Sequence, residues 1–419
     1  MRGLWSLAWR SAWSRRYGLS WVALSMALST FLMLSLEQLR HDVRQHFSQS
    51  VSGTDLIVGA RTSSTALLLY SVFRIGNATQ NIRWSSVQAL SQDPAVAWVI
   101  PISLGDSFQG HPVVATTSAF FEHFRYGDRQ RLALAQGQAF ADLFDAVVGA
   151  EVAQRLGLRV GQRITLSHGS GAFQANDHDD KPFTITGILA RTGTPVDRSV
   201  HISLEGMTAI HVDWVAGLPS RDAVSAEQAR QMDLSPRSVT AALVGLKSRA
   251  AVFSMQRSVS AFQAEPLMAI LPGVALDELW NTLATGERAL ELMVWIVAAV
   301  SLLGLVAAVS AGLEQRRREL AVLRSLGAGP ARVFTLLLIE GLVITLIATL
   351  LGILLTVLAI IGLGDWIGTH YGITVSLQSP LASQLLMLGG IVLAGVAASA
   401  LPGWRAYRIS SIDGLQPRQ

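Results

Sequence analysis

Cysteine is absent from the 419-residue chain, which excludes disulfides, thiolate metal sites and cysteine nucleophiles. Charge is scarce as well. Asp, Glu, Lys and Arg make up 15% of the residues, against about 25% in a typical soluble domain. No Gly-Lys pair occurs, so the G-x-x-x-x-G-K-[ST] loop that cradles nucleotide phosphates is missing. The chain is therefore not expected to hydrolyse ATP by itself. G-x-G-x-x-G and H-E-x-x-H are missing too, and Gly105, Ser107 and Gly110 miss the spacing of a nucleophile elbow. The net charge of +4 and pI near 9.8 do not point to nucleic acid. The arginines stand beside apolar runs, and no RNA-binding aromatic signature or finger-type metal spacing occurs.

What the chain has is apolar length. Tyr17 to Leu36, Leu292 to Leu313, Gly341 to Gly364 and Leu381 to Gly403 carry no charged residue. About 20 mostly apolar residues cross a hydrocarbon core of about 30 Å. A central charge costs roughly 3 kcal/mol, so four such runs read as four membrane helices. Leu34-Ser35-Leu36 offers no small-x-small cleavage site, so the first run is expected to stay as a span. Glu291 and Glu340 lie near span ends. An ion-driven solute path would place ionisable groups nearer mid-membrane.

The flanks orient the spans. Arg2, Arg10, Arg15 and Arg16 precede the first. Arg316, Arg317, Arg318, Arg324 and Arg332 lie between the second and third, and Arg405, Arg408 and Arg418 follow the fourth. The loop from Asp365 to Pro380 has no Lys or Arg. Both termini and the Arg317 loop are thus expected in the cytoplasm. The expected order is a cytoplasmic N-terminus (1–16), a first span (17–36) and a large extracytoplasmic domain (37–287). A second span (289–313), a cytoplasmic loop (314–331), a third span (332–363), a short outer loop (364–380), a fourth span (381–403) and a cytoplasmic tail (404–419) follow. The fold class is α-helical membrane protein, with an α/β domain inserted between helices one and two.

Within that domain, Asp55–Gly59, Ala97–Ile100, Ala146–Gly149, Arg163–Leu166, Phe183–Leu189 and Val239–Leu246 read as strands. Trp84–Leu90, Glu151–Leu156 (ending at Gly157) and Ala250–Gln263 read as helices. About 112–209 reads as an inserted subdomain, and Val215–Pro236 as a mobile polar loop. Glu37–Ser50 and Leu276–Leu290 are expected as helical levers running into the spans.

Two local patterns carry chemistry. His168, Asp177, His178, Asp179 and Asp180 share a Gly-rich loop between two strand candidates. Imidazole with carboxylate suits Zn²⁺; the same residues also suit a solvated acidic turn, and spacing alone does not choose. His111, His201 and His211 join them only if folding brings them near. The second pattern runs from Glu314 to Pro330. Leu320, Leu323 and Leu326 recur at helical spacing among arginines, and Gly327, Gly329 and Pro330 can end one helix and begin another. It reads as an amphipathic helix under the membrane or as a basic membrane flank.

The stretch from Arg318 to Ala328, RELAVLRSLGA, resembles the R-E-[IL]-x-x-L-R-[AS]-x-G-A motif of the MacB/FtsX-type ABC permeases. Val333 to Gly352, with Glu340-Gly341, and the ending from Pro402 to Ile409, PGWRAYRI, are similar to that family too. The order of one span, a large outer domain and three spans is the family's layout. The resemblance implies a permease in the bacterial inner membrane that works with a separate ABC ATPase, which would hold ATP and Mg²⁺. It also implies a second permease copy, the same or related. Arg318, Glu319, Leu320, Leu323, Arg324, Leu326 and Gly327 would form the coupling helix. ATP binding would move the outer domains by mechanotransmission, with a periplasmic protein as a further partner. FtsX-like regulation of an envelope enzyme is the alternative. Residues 53–82 and 193–200 resemble a subgroup associated with zinc-uptake gene sets, which implies a part in zinc acquisition.

Overall fold

The computed structural model describes residues 16–50, 52–169, 178–215, 218–219, 224–315, 329–371, 377 and 382–408. In chain order the first elements are α1 (Arg16–Gln49), β1 (Leu56–Ala60), α2 (Trp84–Ser91), β2 (Val96–Phe108), β3 (His111–Thr116), β4 (Leu134–Gly137), β5 (Asp145–Val148) and α3 (Ala150–Leu156). Then come β6 (Arg163–Ile164), β7 (Ser167–His168), β8 (Phe183–Leu189), β9 (Val200–Ser203), α4 (Leu204–His211), β10 (Ala241–Leu246), α5 (Val252–Ser260) and β11 (Leu267–Ile270). α6 (Pro272–Gln315), α7 (Pro330–Tyr371) and α8 (Ala382–Arg408) follow. The chain forms two compact units, Met1–Asp42 with Ala284–Gln419, and Val43–Leu283.

Among the described residues four helices are long and apolar enough to cross a membrane, at Tyr17–Gln49, Pro272–Ala311, Pro330–Gly364 and Ala382–Trp404, and the bounds of the first unit cut through the first two. α1 has 34 residues and α6 has 44, about 51 and 66 Å of helix, well beyond a hydrocarbon core of about 30 Å. The expected helical extensions of the first two spans are thus continuous with them. α7 also overruns the outer loop expected from residue 364, continuing to Tyr371. Leu292, Met293, Trp295 and Ile296 of α6 are exposed, as a lipid-facing stripe requires. Leu19, Met26, Leu305, Val309, Leu337 and Ile344 pack into one cluster between the helices. Small and hydroxylated residues make the closest approaches, since lipid gives no hydrophobic drive for helices to associate. Ser301 of α6 bonds Ser25 (3.0 Å) and Ser29 (2.7 Å) of α1. Gly341 of α7 lies against Ser399 of α8, and Gly395 of α8 against Thr345 of α7; a Cβ on either glycine would collide with that neighbour.

The second unit is built on an eleven-stranded sheet in the order β11-β1-β10-β2-β3-β9-β5-β8-β4, with β7 on β2 and β6 on β8. β2 is its spine. Its first half pairs with β10 and its second half with β3. The strand runs through Pro101, where the sequence suggested an end. Pro101 sits in the half paired to β10, and its carbonyl accepts from the Thr116 hydroxyl on the β3 side (2.7 Å). Pairing with β3 starts only at Ser103. The missing N–H faces that side and costs no ladder bond.

Residues 112–209 do not form the separate insertion expected. Their strands continue the sheet through β3 and β9, and both hydrophobic clusters of the unit draw residues from inside and outside this stretch. The 193–200 motif makes a turn. Thr194 caps a short 3-10 helix at Pro195–Arg198, Gly193 takes φ +69°, and the buried Asp197 carboxylate accepts from Thr192 N, Thr192 Oγ1 and Gly193 N at 2.7–3.0 Å. Of the expected mobile loop, residues 216–217 and 220–223 lie outside the described residues. Ser225 and Gln228 form a capping box on a helical turn at Ala226–Ala229.

Candidate metal centre

Four side chains of the second unit meet at one point: Asp106, His168, His178 and His211. Each offers a donor atom within 4.8 Å of the others. Asp106 lies near the end of β2. Between Leu104 and Ser107 the β2–β3 register slips, because three steps along β2 match two along β3. The bulge re-aims the residues inside it. Across the other ladder Asp106 stands directly opposite His168 of β7. His178 is tied down by its backbone N–H, which donates to Leu166 O at 2.8 Å.

His211 closes α4. Ser203 starts that helix by accepting from Gly206 N at 2.9 Å, and Glu205 occupies the first turn, where the helix dipole favours an acid. Gly206 lets α4 approach the core. A Cβ there would come to 2.6 Å from Leu143 O and 2.9 Å from Ser203 Oγ.

The donors are arranged as ligands. His168 Nδ1 lies 3.0 Å from Asp106 Oδ1 and 3.0 Å from His211 Nε2, and His211 Nε2 lies 3.4 Å from Asp106 Oδ1. Ions held tetrahedrally by bonds of about 2.0–2.1 Å have ligand-to-ligand edges of about 3.3 Å. The three atoms thus form one face of such a tetrahedron. His178 Nε2 is 4.0 Å from Asp106 Oδ2, within reach of the same point. The protonation of His211 is fixed from behind: its Nδ1 faces Met207 O at 2.8 Å, a carbonyl that can only accept. Nε2 of the neutral ring therefore carries a lone pair.

Burial divides the site. The side chains of Asp106 and His178 are fully buried, while His168 and His211 keep 36% and 27% exposure. Neither ring nitrogen of His178 nor Asp106 Oδ2 has a hydrogen-bond partner among the described residues. Burial pushes the His178 pKa down to about 4, His211 and His168 adding to this while Asp106 and Asp180 oppose it. Burial also works against charging His211, but the hydrogen bond and charge of Asp106, with Met207 O and Asp213, outweigh it and raise that pKa. Trp214 covers the cluster, its ring 4.5 Å from that of His178 and 5.4 Å from that of His168. Behind it Lys181, one of the chain's two lysines, is fully buried. Its ammonium donates to both oxygens of Asp213 (3.0 and 3.2 Å) and to Asp180.

Of the sequence candidates, His168 and His178 come together. Asp179 is exposed and stays outside the cluster. Asp177 lies outside the described residues. His211 does join, brought by α4. His201 is buried in β9 against Phe120, with centroids 5.0 Å apart, and His111 opens β3; neither belongs to the cluster. Asp106 is the candidate ligand sequence reasoning missed. An Asp inside a strand, next to a glycine, was its signal, since strands are poor in both. The seven coupling-helix candidates, Arg318, Glu319, Leu320, Leu323, Arg324, Leu326 and Gly327, lie outside the described residues.

Comparison with known proteins places the whole architecture. Residues 20–261 match the MacB-like periplasmic core domain and residues 291–411 the FtsX-like permease C-terminal domain. The macrolide export ATP-binding/permease protein MacB of Nitrobacter winogradskyi is 27% identical over 241 residues, covering 56% of this chain and 34% of that protein. The lipoprotein-releasing system transmembrane protein LolC of Haemophilus influenzae is 21% identical over 145 residues, covering 34% of this chain and 37% of that protein. The matches thus span about a third of each curated relative's length.

Two solved structures are similar over about half of the chain. The periplasmic region of MacB from Actinobacillus actinomycetemcomitans has 11% identity and a TM-score of 0.34, covering 56% of this chain and 98% of that one. The extracellular domain of the noncanonic ABC-type transporter YknZ from Gram-positive bacteria has 10% identity and a TM-score of 0.30, covering 52% and 99%. With the core-domain match alone reaching over more than half of its length, this chain belongs to the MacB/FtsX-type permease family.

Proposed function

We propose that this chain is the membrane subunit of an ABC-type machine in the bacterial inner membrane, with both termini in the cytoplasm. A partner ATPase binds and hydrolyses ATP, and two permease copies flank the membrane axis. The observation that carries this reading is the pairing of a MacB-like core domain with an FtsX-like permease domain on a sequence without a Gly-Lys pair. On this reading power comes from an ATPase outside the sequence in hand. Work is delivered as motion of the outer domain. Two features support that. α1 and α6 continue as single helices well past membrane length, and Ser25, Ser29, Ser301, Gly341 and Gly395 hold the apolar stretches of the helices together. Arg318 to Gly327 is the segment assigned to dock on the ATPase, through Leu320, Leu323 and Leu326.

The test is to co-purify the chain with its ATPase and measure ATP hydrolysis, with and without Leu323→Asp. An unpaired charge in an apolar contact should abolish the complex or its hydrolysis while the chain stays folded. Unchanged hydrolysis in the variant would remove the coupling role from this segment.

A further inference from the structure

We propose that Asp106, His168, His178 and His211 bind an exchangeable divalent d-block cation of the Zn²⁺ type, making the outer domain a metal-binding module. The inference goes beyond ATPase coupling and does not rest on it. Three observations carry it.

The first is donor geometry. Three lone-pair atoms form a triangle of 3.0, 3.0 and 3.4 Å, close to the edge of about 3.3 Å that tetrahedral Zn²⁺ requires. Protons satisfy such a triangle poorly. Asp106 Oδ1 only accepts, and His211 Nε2 only accepts while its ring is neutral. His168 Nδ1 has one proton to share between them. A cation at the centre satisfies all three together.

The second is the buried, unpartnered pair. His178 has 1% exposure and, among the described residues, no hydrogen-bond partner on either nitrogen, and Asp106 Oδ2 has none. Buried polar atoms are nearly always paired. Here the unpaired ones face each other across the same point, as a fourth ligand and a second carboxylate oxygen would. His211 also hands its rear N–H to the Met207 carbonyl, as metal-bound histidines do.

The third is charge. Asp106, Asp180 and Asp213 set three negative charges against the one ammonium of Lys181. Carboxylates thus outnumber cationic side chains around the point, as a cation site requires.

Donor type then selects the class. Three imidazole nitrogens and one carboxylate suit Zn²⁺, Co²⁺, Ni²⁺ or Cu²⁺, whereas Mg²⁺ and Ca²⁺ take oxygen cages. Exchange follows from burial. Two ligands reach solvent, and the hydrophobic clusters that close the unit are built from other residues. The ion is a ligand of a finished fold.

The test uses the full-length protein in detergent, stripped with a chelator and titrated with Zn²⁺ alone against a chromophoric competitor. One Zn²⁺ per chain is expected. Co²⁺ should give the intense visible absorption of a tetrahedral site, and millimolar Mg²⁺ or Ca²⁺ should not displace either ion. His168→Ala and His211→Ala should weaken Zn²⁺ binding by more than about 100-fold, since losing even a ligand's supporting partner costs roughly 10–100-fold. Half-exposed His168 serves as the variant that leaves the core intact if Asp106→Asn fails to fold. Leu323→Asp should bind Zn²⁺ like the parent, which separates this result from the fate of the ATPase reading. No binding at micromolar Zn²⁺, or binding insensitive to His168→Ala and His211→Ala, would overturn the site. Loss of the far-ultraviolet dichroism of the outer domain on chelation would overturn its exchangeable character.

Discussion

Removing His201 should flatten the acid dependence of outer-domain stability. The side chain is fully buried in β9, and burial pushes its pKa down from 6.5 to about 3, with the Arg74 guanidinium adding to this and the Val147 backbone opposing it. The unfolded chain takes up this proton near pH 6.5 and the folded chain only near pH 3. Between those values the unfolded state holds the extra proton, so the contribution is complete above pH 6.5 and is lost as pH falls. The full shift corresponds to about 5 kcal/mol. About 2 kcal/mol of it disappears between pH 7 and pH 5. The assay is urea denaturation of fragment 43–283 with chelator present, at pH 7 and pH 5, for the parent and His201→Leu. Both hydrophobic clusters of the unit lie inside that fragment. The parent should lose about 2 kcal/mol more than the variant over the interval. Any change in absolute stability, and the acid response of His178, cancel in that difference. Parallel pH curves would refute the reasoning, because they would mean that His201 protonates equally in both states.

Two further substitutions test the packing. Gly395→Val drives a side chain into Thr345 between α7 and α8 and should cost about 1–3 kcal/mol, read as a lower thermal midpoint in detergent. Gly389→Val, with open space around its Cβ position, should leave that midpoint unchanged. In the outer unit, Asp197→Ala strands the Thr192 and Gly193 donors and should cost about 3 kcal/mol in denaturation of fragment 43–283, with Asp197→Asn costing clearly less.

Legibility followed the reach of each interaction. The four spans could be read from sequence because lipid imposes a one-dimensional rule, about 20 residues without charge. Local signals also located α2, α3 and β8, since caps and alternation act within a few residues; Gly157, which ends α3, takes the left-handed φ of +64°. The strand break at Pro101 was misread because a proline's cost depends on which neighbour its missing N–H faces, a tertiary fact. The separateness of 112–209 was misread for a similar reason. A sheet joins segments by ladders that leave no mark in either strand alone. The cluster was half legible: His168 and His178 stand ten positions apart, but Asp106 lies 62 residues before His168 and His211 lies 43 after it. Only the β2–β7 pairing and the packing of α4 bring those two in.

The positions of the ligands connect the site to the frame of the domain. Asp106 and His168 sit on paired strands, while His178 comes from a turn and His211 from the end of a helix. Two ligands are thus fixed to the sheet and two are carried by parts packed onto it. From β2 the ladders run through β10 and β1 to β11, and Leu271 alone separates β11 from Pro272, the first residue of α6. The strand that holds Asp106 and the start of a 44-residue helix therefore belong to one hydrogen-bonded body. The 178–181 turn carries His178, whose Nε2 lies 4.0 Å from Asp106 Oδ2. Lys181, bound to Asp213 at 3.0 Å, ties the turn to the segment that carries Trp214.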